Sequence, residues 1–366
     1  MILIFIALIV ITCVNLKFSK SAFIYDNLSK SNPNSICIKG IFAIIIFISH
    51  CLSYFTEQHI YLDAPMAKLI TIIGQLMVTM FFFYSGYGIM QSYNEKPEYI
   101  KSFPKNRILK TLIHFDVAIL LFLVMNLIFA RDYSPLTTLL AFTGYTTIGN
   151  SNWFMFAIFV LYIFTYFSFS IFKNKKIVGL IVVTILSFAY IIVMFRIGNG
   201  NWWYDTILTY PFGLFYGYYK TKIERLITNS NKNYIFILSA SLISFIVLWF
   251  VNTIFNFMSL TYNLLSIVFV FILVLVTYKI QFNNKILVFL GKHSFNIYIL
   301  QRLPMIILAR TPLLKYNLMF ALSSLALTII ISIGFEFINK KIDSLLFKKK
   351  KAIVIKNSWH KFIMNT

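Results

Sequence analysis

The chain has 366 residues, of which 59% are hydrophobic and 12% charged, with 33 Lys and Arg against 11 Asp and Glu. Its mean hydropathy is +0.80, too apolar for a water-soluble domain of this length. The net charge of +22 would by itself fit a nucleic-acid partner, so its distribution along the chain decides what it means.

Apolar stretches near twenty residues recur from end to end, and a hydrocarbon core of about 30 Å takes about 20 helical residues. The pattern predicts spans at approximately 2–16, 36–55, 69–92, 109–130, 153–172, 177–195, 204–219, 233–256, 259–278, 293–309 and 316–338. This is an all-α, polytopic transmembrane helix bundle of about 10–11 spans in one membrane domain. The first stretch is the shortest. No small-residue cleavage site follows it, so residues 1–30 are read as a membrane anchor helix and linker rather than a signal peptide. With the N-terminus outside and the C-terminus in the cytoplasm, the inside segments collect 27 of the 33 basic residues. The other six are Lys68, Arg131, Arg196, Arg302, Arg310 and Lys315. That is the positive-inside rule, and it explains the charge with the lipid bilayer as partner and no nucleic acid. Residues 341–366 form a basic cytoplasmic tail, and its Lys348 to Lys351 run is expected against anionic headgroups. Cys13, Cys37 and Cys51 have neither disulfide nor zinc spacing, and no metal is expected.

The first chemical signal in chain order is Lys39 with His50, both within an apolar run. Ionisable groups at membrane depth are costly and mark candidate sites. Eleven helical steps return to within about 20° of the same face with a rise of about 16 Å. A cation near one surface and an imidazole deeper in therefore share a wall, which suits gripping a charged cosubstrate and doing proton chemistry. A packing role for His50 is the alternative. In Phe81 to Gly88, the small residues Ser85, Gly86 and Gly88 suit close helix packing or backbone approach to a ligand. Arg107 and Lys110 lie three apart, on one face of a helix start, in a basic cluster with Lys101 and Lys105. They are juxtamembrane charge or a phosphate clamp. His114 shares a span with Asp116 and is a candidate second polar partner in the bundle.

Asn150 to Phe154, with Trp153, and Asn201 to Asp205, with Trp203, open two spans at the outer surface. Each reads equally as an interfacial aromatic anchor or as a carbohydrate-binding rim. In Gly291 to Arg302, His293 and Ser294 are expected to cap a helix start. Ser294, Tyr298, Gln301 and Arg302 fall on roughly one face, with Gln301 and Arg302 lining a cavity. His59 falls in an outer loop and His360 in the tail. P-loop, GxSxG, HExxH and paired CxxC patterns are absent from the sequence. Asp116 and Glu336 are the main acidic residues within spans, fewer than a proton-driven carrier often shows.

Taken in order, these stretches resemble the acyltransferase-3 family of integral membrane acyltransferases. The resemblance rests on Lys39-Gly40 with His50, Phe81 to Tyr87, Arg107 with Lys110, Trp153-Phe154, and Gly291, Lys292, Ser294 and Tyr298. Lys39 and Lys110 stand where the family usually has Arg, and Gln301 stands where the late motif usually ends in His. The resemblance implies a membrane acyltransferase domain over 31–340. It implies transfer of an acyl group, typically acetyl, from cytoplasmic acyl-CoA to a hydroxyl of a bacterial cell-surface polysaccharide or its lipid-linked precursor. Acyl-CoA is then a cosubstrate, with no tightly bound cofactor. His50 is the expected base or acyl carrier, and Lys39, Arg107 and Lys110 the expected donor-binding residues. Ser85, Trp153, Trp203, Tyr298, Gln301 and Arg302 are expected around the acceptor or cavity. The alternative is a transporter of a glycan unit or small acid.

Overall fold

A computed structural model describes residues 1–29, 31–55, 63–173, 175–254 and 259–347. His59, His360 and the Lys348 to Lys351 run lie outside the described residues. The helices are α1 (Ile2–Cys13), α2 (Pro33–Leu52), α3 (Ala64–Ile73), α4 (Leu76–Glu95), α5 (Tyr99–Phe103), α6 (Lys110–Ile128), α7 (Pro135–Ala141), α8 (Trp153–Ile171) and α9 (Lys176–Ile197). They continue as α10 (Thr209–Tyr218), α11 (Lys220–Thr228), α12 (Asn231–Ile254), α13 (Ser259–Thr277), α14 (Lys285–Lys292), α15 (Ser294–Leu300), α16 (Arg302–Leu308) and α17 (Asn317–Leu346). Two short strands, β1 (Lys17–Phe18) and β2 (Ile280–Gln281), pair antiparallel. Helical enclosure of backbone polar groups is one of two solutions open to a chain crossing hydrocarbon.

Among the described residues, seven helices are long and apolar enough to cross a membrane, or eight if α3 and α4, bent by 41°, count as one. The chain is a multi-pass membrane protein. Three of the eleven expected spans, 2–16, 204–219 and 293–309, contain only shorter helices. Contacts at their ends show that these too run through the bundle. At one end, β1 pairs with β2, Lys220 meets Asp26 at 2.8 Å, and Lys279 meets Asn231 at 2.8 Å. At the other, Asp63 binds the Met1 amine at 2.7 Å and Asn317 at 3.2 Å, and the Asn263 carboxamide accepts from the Leu208 N–H. There Arg310 also lies 4.1 Å from the Phe129 ring centroid. Thus α1, α10 and the α15–α16 pair each connect the basic end to the opposite end. Extended or turning backbone supplies the length their helices lack.

The bundle has an enclosed centre and a lipid-facing rim. In α2, 67% of the apolar window is buried, against 6% in α12, whose Ile235, Phe236, Ile243, Ile246 and Phe250 are exposed. α2 starts where Asn32 caps the Asn34 N–H and Pro33 takes the first turn. Two reciprocal glycine contacts hold the centre. A Cβ on Gly40 would collide with the Leu287 carbonyl, and one on Gly291 with the Ile36 carbonyl, so α2 and α14 meet backbone to backbone. Gly86 against Tyr210 and Gly213 against Phe83 do the same for α4 and α10. The close-packing reading of the Ser85 to Gly88 stretch therefore holds for Gly86.

Candidate active site

The site is built along one stripe of α2. Lys39, Ala43, Ile46 and His50 recur at spacings of four, three and four, so they line one helix face. Lys39 lines a cavity of about 280 Å³, together with Tyr84 and Ser85 of α4, Arg107, Tyr162 of α8 and Ser294 of α15. Ala43 and Ile46 line a smaller void of about 30 Å³, with Phe81, Phe154, Ser294 and Tyr298. The two share Phe81, Phe154 and Ser294, so the void continues the cavity along α2 towards His50.

The larger cavity carries two cations, and no acidic side chain lines it among the described residues. Lys39 Nζ stands 5.0 Å from the Tyr84 ring centroid. Arg107 Nε donates to the Tyr99 hydroxyl at 2.8 Å, and the Ser85 and Tyr162 hydroxyls lie 2.8 Å apart. Two cations ringed by neutral hydroxyls make an anion-binding wall. At the far end of the stripe the His50 and Tyr298 ring centroids are 6.4 Å apart. Tyr298 stands edge-on to Phe154 at 5.5 Å. His50 Nδ1, Gln301 Oε1 and Arg302 Nε are buried without a hydrogen-bond partner among the described residues. Buried polar atoms without a partner call for an explanation, and a ligand or transferred group beside these three is one. The Arg302 charge lies close enough to act electrostatically on the imidazole.

The model of the acyltransferase-3 family, an acyltransferase domain, matches residues 32–337. The chain belongs to that family. Comparisons with curated proteins and with solved structures find no match. The match makes the protein a membrane acyltransferase, and α1 lies before the matched residues.

In this acyltransferase Arg107 and Lys110 do not share a face. Pro104–Leu109 forms a π-helical turn, with the Lys110 N–H bonded to the Lys105 carbonyl. The wider turn breaks the usual i, i+3 alignment, and such turns are frequent at functional sites. Arg107 consequently faces the cavity, while Lys110 Nζ lies 2.5 Å from Asp343 of α17. His114 Nε2 is 3.0 Å from the same carboxylate, so its polar partner is Asp343. Ser85 and Tyr298 line the cavity and the void respectively. Gln301 is fully buried, and its amide donates to the Tyr298 carbonyl at 3.2 Å.

The two tryptophans stand elsewhere. Trp153 packs on Phe82 and Phe154 at 6.4 and 6.0 Å, behind the wall that Phe154 forms. Trp203 is buried against Tyr145 and Phe156, at 5.8 Å from each. The His293 side chain makes no cap hydrogen bond to α15. Its Nδ1 lies 2.8 Å from Glu336 of α17, within ion-pair range but not aligned as a hydrogen bond. Sequence reasoning did not single out Tyr84, Tyr99 and Tyr162, which furnish aromatic and hydroxyl groups around the cations. Tyr84 and Tyr162 sit in Tyr- and Phe-rich stretches where nothing distinguishes a cavity tyrosine from a packing one, and Tyr99 sits in a charged loop that reads as surface.

Proposed function

We propose that this acyltransferase moves an acyl group, acetyl in the simplest case, from cytoplasmic acyl-CoA to a hydroxyl of a bacterial cell-surface polysaccharide or its lipid-linked precursor. The observation that carries the reading is the stripe Lys39, Ala43, Ile46 and His50, with cations at one end and the imidazole at the other. The basic loops support a cytoplasmic donor side, with the N-terminus outside and the C-terminus inside.

Arg107 and Lys39 hold the donor phosphates in a cavity that no carboxylate lines among the described residues. The acyl end points along Ala43 and Ile46 towards His50. The void there has room for about two waters, so Phe81 and Phe154 shift to admit a thioester. The His50 imidazole takes the acceptor hydroxyl proton as the oxygen attacks the thioester carbonyl. The carbon–sulfur bond breaks, and the imidazolium returns the proton to the departing thiolate. Alternatively the imidazole is itself acylated and then passes the group to the acceptor. Arg302 supplies positive charge beside the developing oxyanion.

The test uses purified protein in nanodiscs with radiolabelled acetyl-CoA and envelope glycan. The expected result is free CoA thiol and label in the glycan, both lost in His50→Gln. A transporter moves solute across a vesicle wall without consuming acyl-CoA, and that outcome overturns the reading.

A further inference from the structure

The end of the bundle away from the basic loops holds a second cleft, of about 410 Å³. Its walls come from four parts of the chain. Gln75 stands at the break between α3 and α4, Asn201 and Asp205 precede α10, Trp249 and Asn252 lie late in α12, and Tyr262 opens α13. The break is fixed by Gly74, whose φ of 50° favours glycine, and by the Tyr262 hydroxyl, which accepts from the Gln75 N–H at 2.9 Å. Asp205 is 2% exposed, and its Oδ1 has no hydrogen-bond partner among the described residues. The Ser259 and Asn201 side chains bond to the same carboxylate, and the remaining oxygen is available to a further donor.

The chemistry of the wall selects that donor. Asp205 is the charged residue among the described lining residues, and no Lys or Arg accompanies it. A phosphate would meet a carboxylate with no cation to offset it. Calcium takes six to eight oxygens with several carboxylates, and magnesium held by one carboxylate usually brings substrate phosphates, for which this wall has no cation. Gln75 carries an amide that can both donate and accept, while Asn252 accepts from the Thr261 hydroxyl at 3.4 Å and Asn201 bonds to Asp205, each keeping part of its capacity. Trp249, 40% exposed, offers an indole beside them. A carboxylate and amides for hydroxyls, next to an aromatic face for C–H groups, match a neutral sugar ring.

The cleft is also placed to serve the site already described. Gln75 is three residues before Val78, which lines the small void, a rise of about 4.5 Å along the chain. We propose that this cleft binds a neutral sugar of the acceptor glycan, on the side opposite the donor cavity. The proposal rests on the acyl-transfer reading above for the word acceptor, but not for the binding itself.

The test is saturation-transfer NMR on the full-length protein in nanodiscs, with neutral trisaccharides built on glucose, galactose, rhamnose and N-acetylglucosamine. At least one is expected to bind saturably, and Asp205→Asn and Trp249→Ala are expected to weaken it about tenfold or more. Trp249→Tyr should restore most of the affinity, which a merely structural role would not do. Thr253→Trp, at an exposed position on the rim, should block the cleft without disturbing its floor. Kinetically, the cleft variants should raise KM for the glycan and leave KM for acyl-CoA alone. Unchanged saccharide binding in all the cleft variants, binding by no member of the panel, or a signal only from a glycerophosphate headgroup overturns the proposal. Wild-type acyl-CoA turnover, measured on the same preparations, separates the two ideas. Turnover without a cleft effect sinks the cleft alone, and saccharide binding without turnover sinks the transfer reading alone.

Discussion

The two ends of the bundle hold recesses of opposite chemistry. The cavity at the basic end sets Lys39 and Arg107 among tyrosines and serines with no acidic residue in its described walls, while the cleft at the opposite end sets Asp205 among amides with no basic one among its described lining residues. Both open against α4 or the turn leading into it: Tyr84 and Ser85 face the first, Gln75 the second. On the proposed reading, the enzyme has to keep an anionic donor and a neutral acceptor from competing for one entrance. Placing cations at one end and a lone carboxylate at the other does this by charge alone. The stripe ending at His50 lies between them.

The comparison can be broken most directly in the middle. His50→Gln keeps a hydrogen-bonding side chain of similar reach but cannot take a proton near neutral pH. Acyl transfer should fall roughly 10²- to 10⁴-fold with normal membrane insertion. Transfer retained at wild-type yield would make His50 a packing residue and leave the two recesses unconnected. Next in size is Arg107→Ala, which should raise KM for acyl-CoA by about tenfold to a hundredfold, the usual worth of a hydrogen bond to a charged group. KM for the glycan should not follow. Initial-rate kinetics with each substrate varied in turn measure both, and equal rises in both would merge the two sites into one.

Ionic strength sharpens the same contrast with no mutation. Raising salt from about 0.01 to 0.15 M shortens the screening length from about 30 to 8 Å. KM for acyl-CoA should climb several-fold over that range while KM for a neutral glycan stays flat. The smallest effect is expected from Lys110→Ala. Its ammonium is engaged by Asp343, so donor KM should change less than about twofold, and stability by about 0.2–1 kcal/mol, the worth of a surface pair. A large rise in donor KM would return Lys110 to the phosphate wall, and thermal unfolding of Asp343→Asn beside it checks the pairing.

How much of this was legible before the structure differs by residue. The Lys39–His50 phasing was legible because an uninterrupted α-helix carries sequence spacing directly into space, and α2 is such a helix. Arg107 and Lys110 were expected together because an α-helical start was assumed, and the π-helical turn over Pro104–Leu109 parts them. The 3.6-residue period contains no trace of such a turn. Trp153 and Trp203 were placed near a site by type, but an indole packs as readily behind a wall as in front of one. The spans over 2–16, 204–219 and 293–309 were counted by hydropathy, which detects apolar length and not whether helix fills it. Asn201 and Asp205 were visible as a polar pair. Their partners Gln75, Asn252 and Tyr262 arrive from distant segments that only the fold assembles.

The pairing of β1 with β2 imposes an order in time. Lys17 lies opposite Gln281, and Asn34 is tied to the same strand, its carboxamide donating to Ile280 and accepting from Phe282 at 3.0 Å each. A ribosome adding roughly 5–20 residues per second reaches Gln281 roughly 13–50 s after Lys17. For most of that interval α2 is already made while the strand that fastens its entrance does not yet exist. The segment bearing Lys39 and His50 must wait in the bilayer with two ionisable side chains and only its early neighbours for shelter. Synthesis of β2 and α14 closes the clasp, so a chain truncated before residue 280 should insert its early helices yet leave α2 open to proteolysis at the edge the clasp covers.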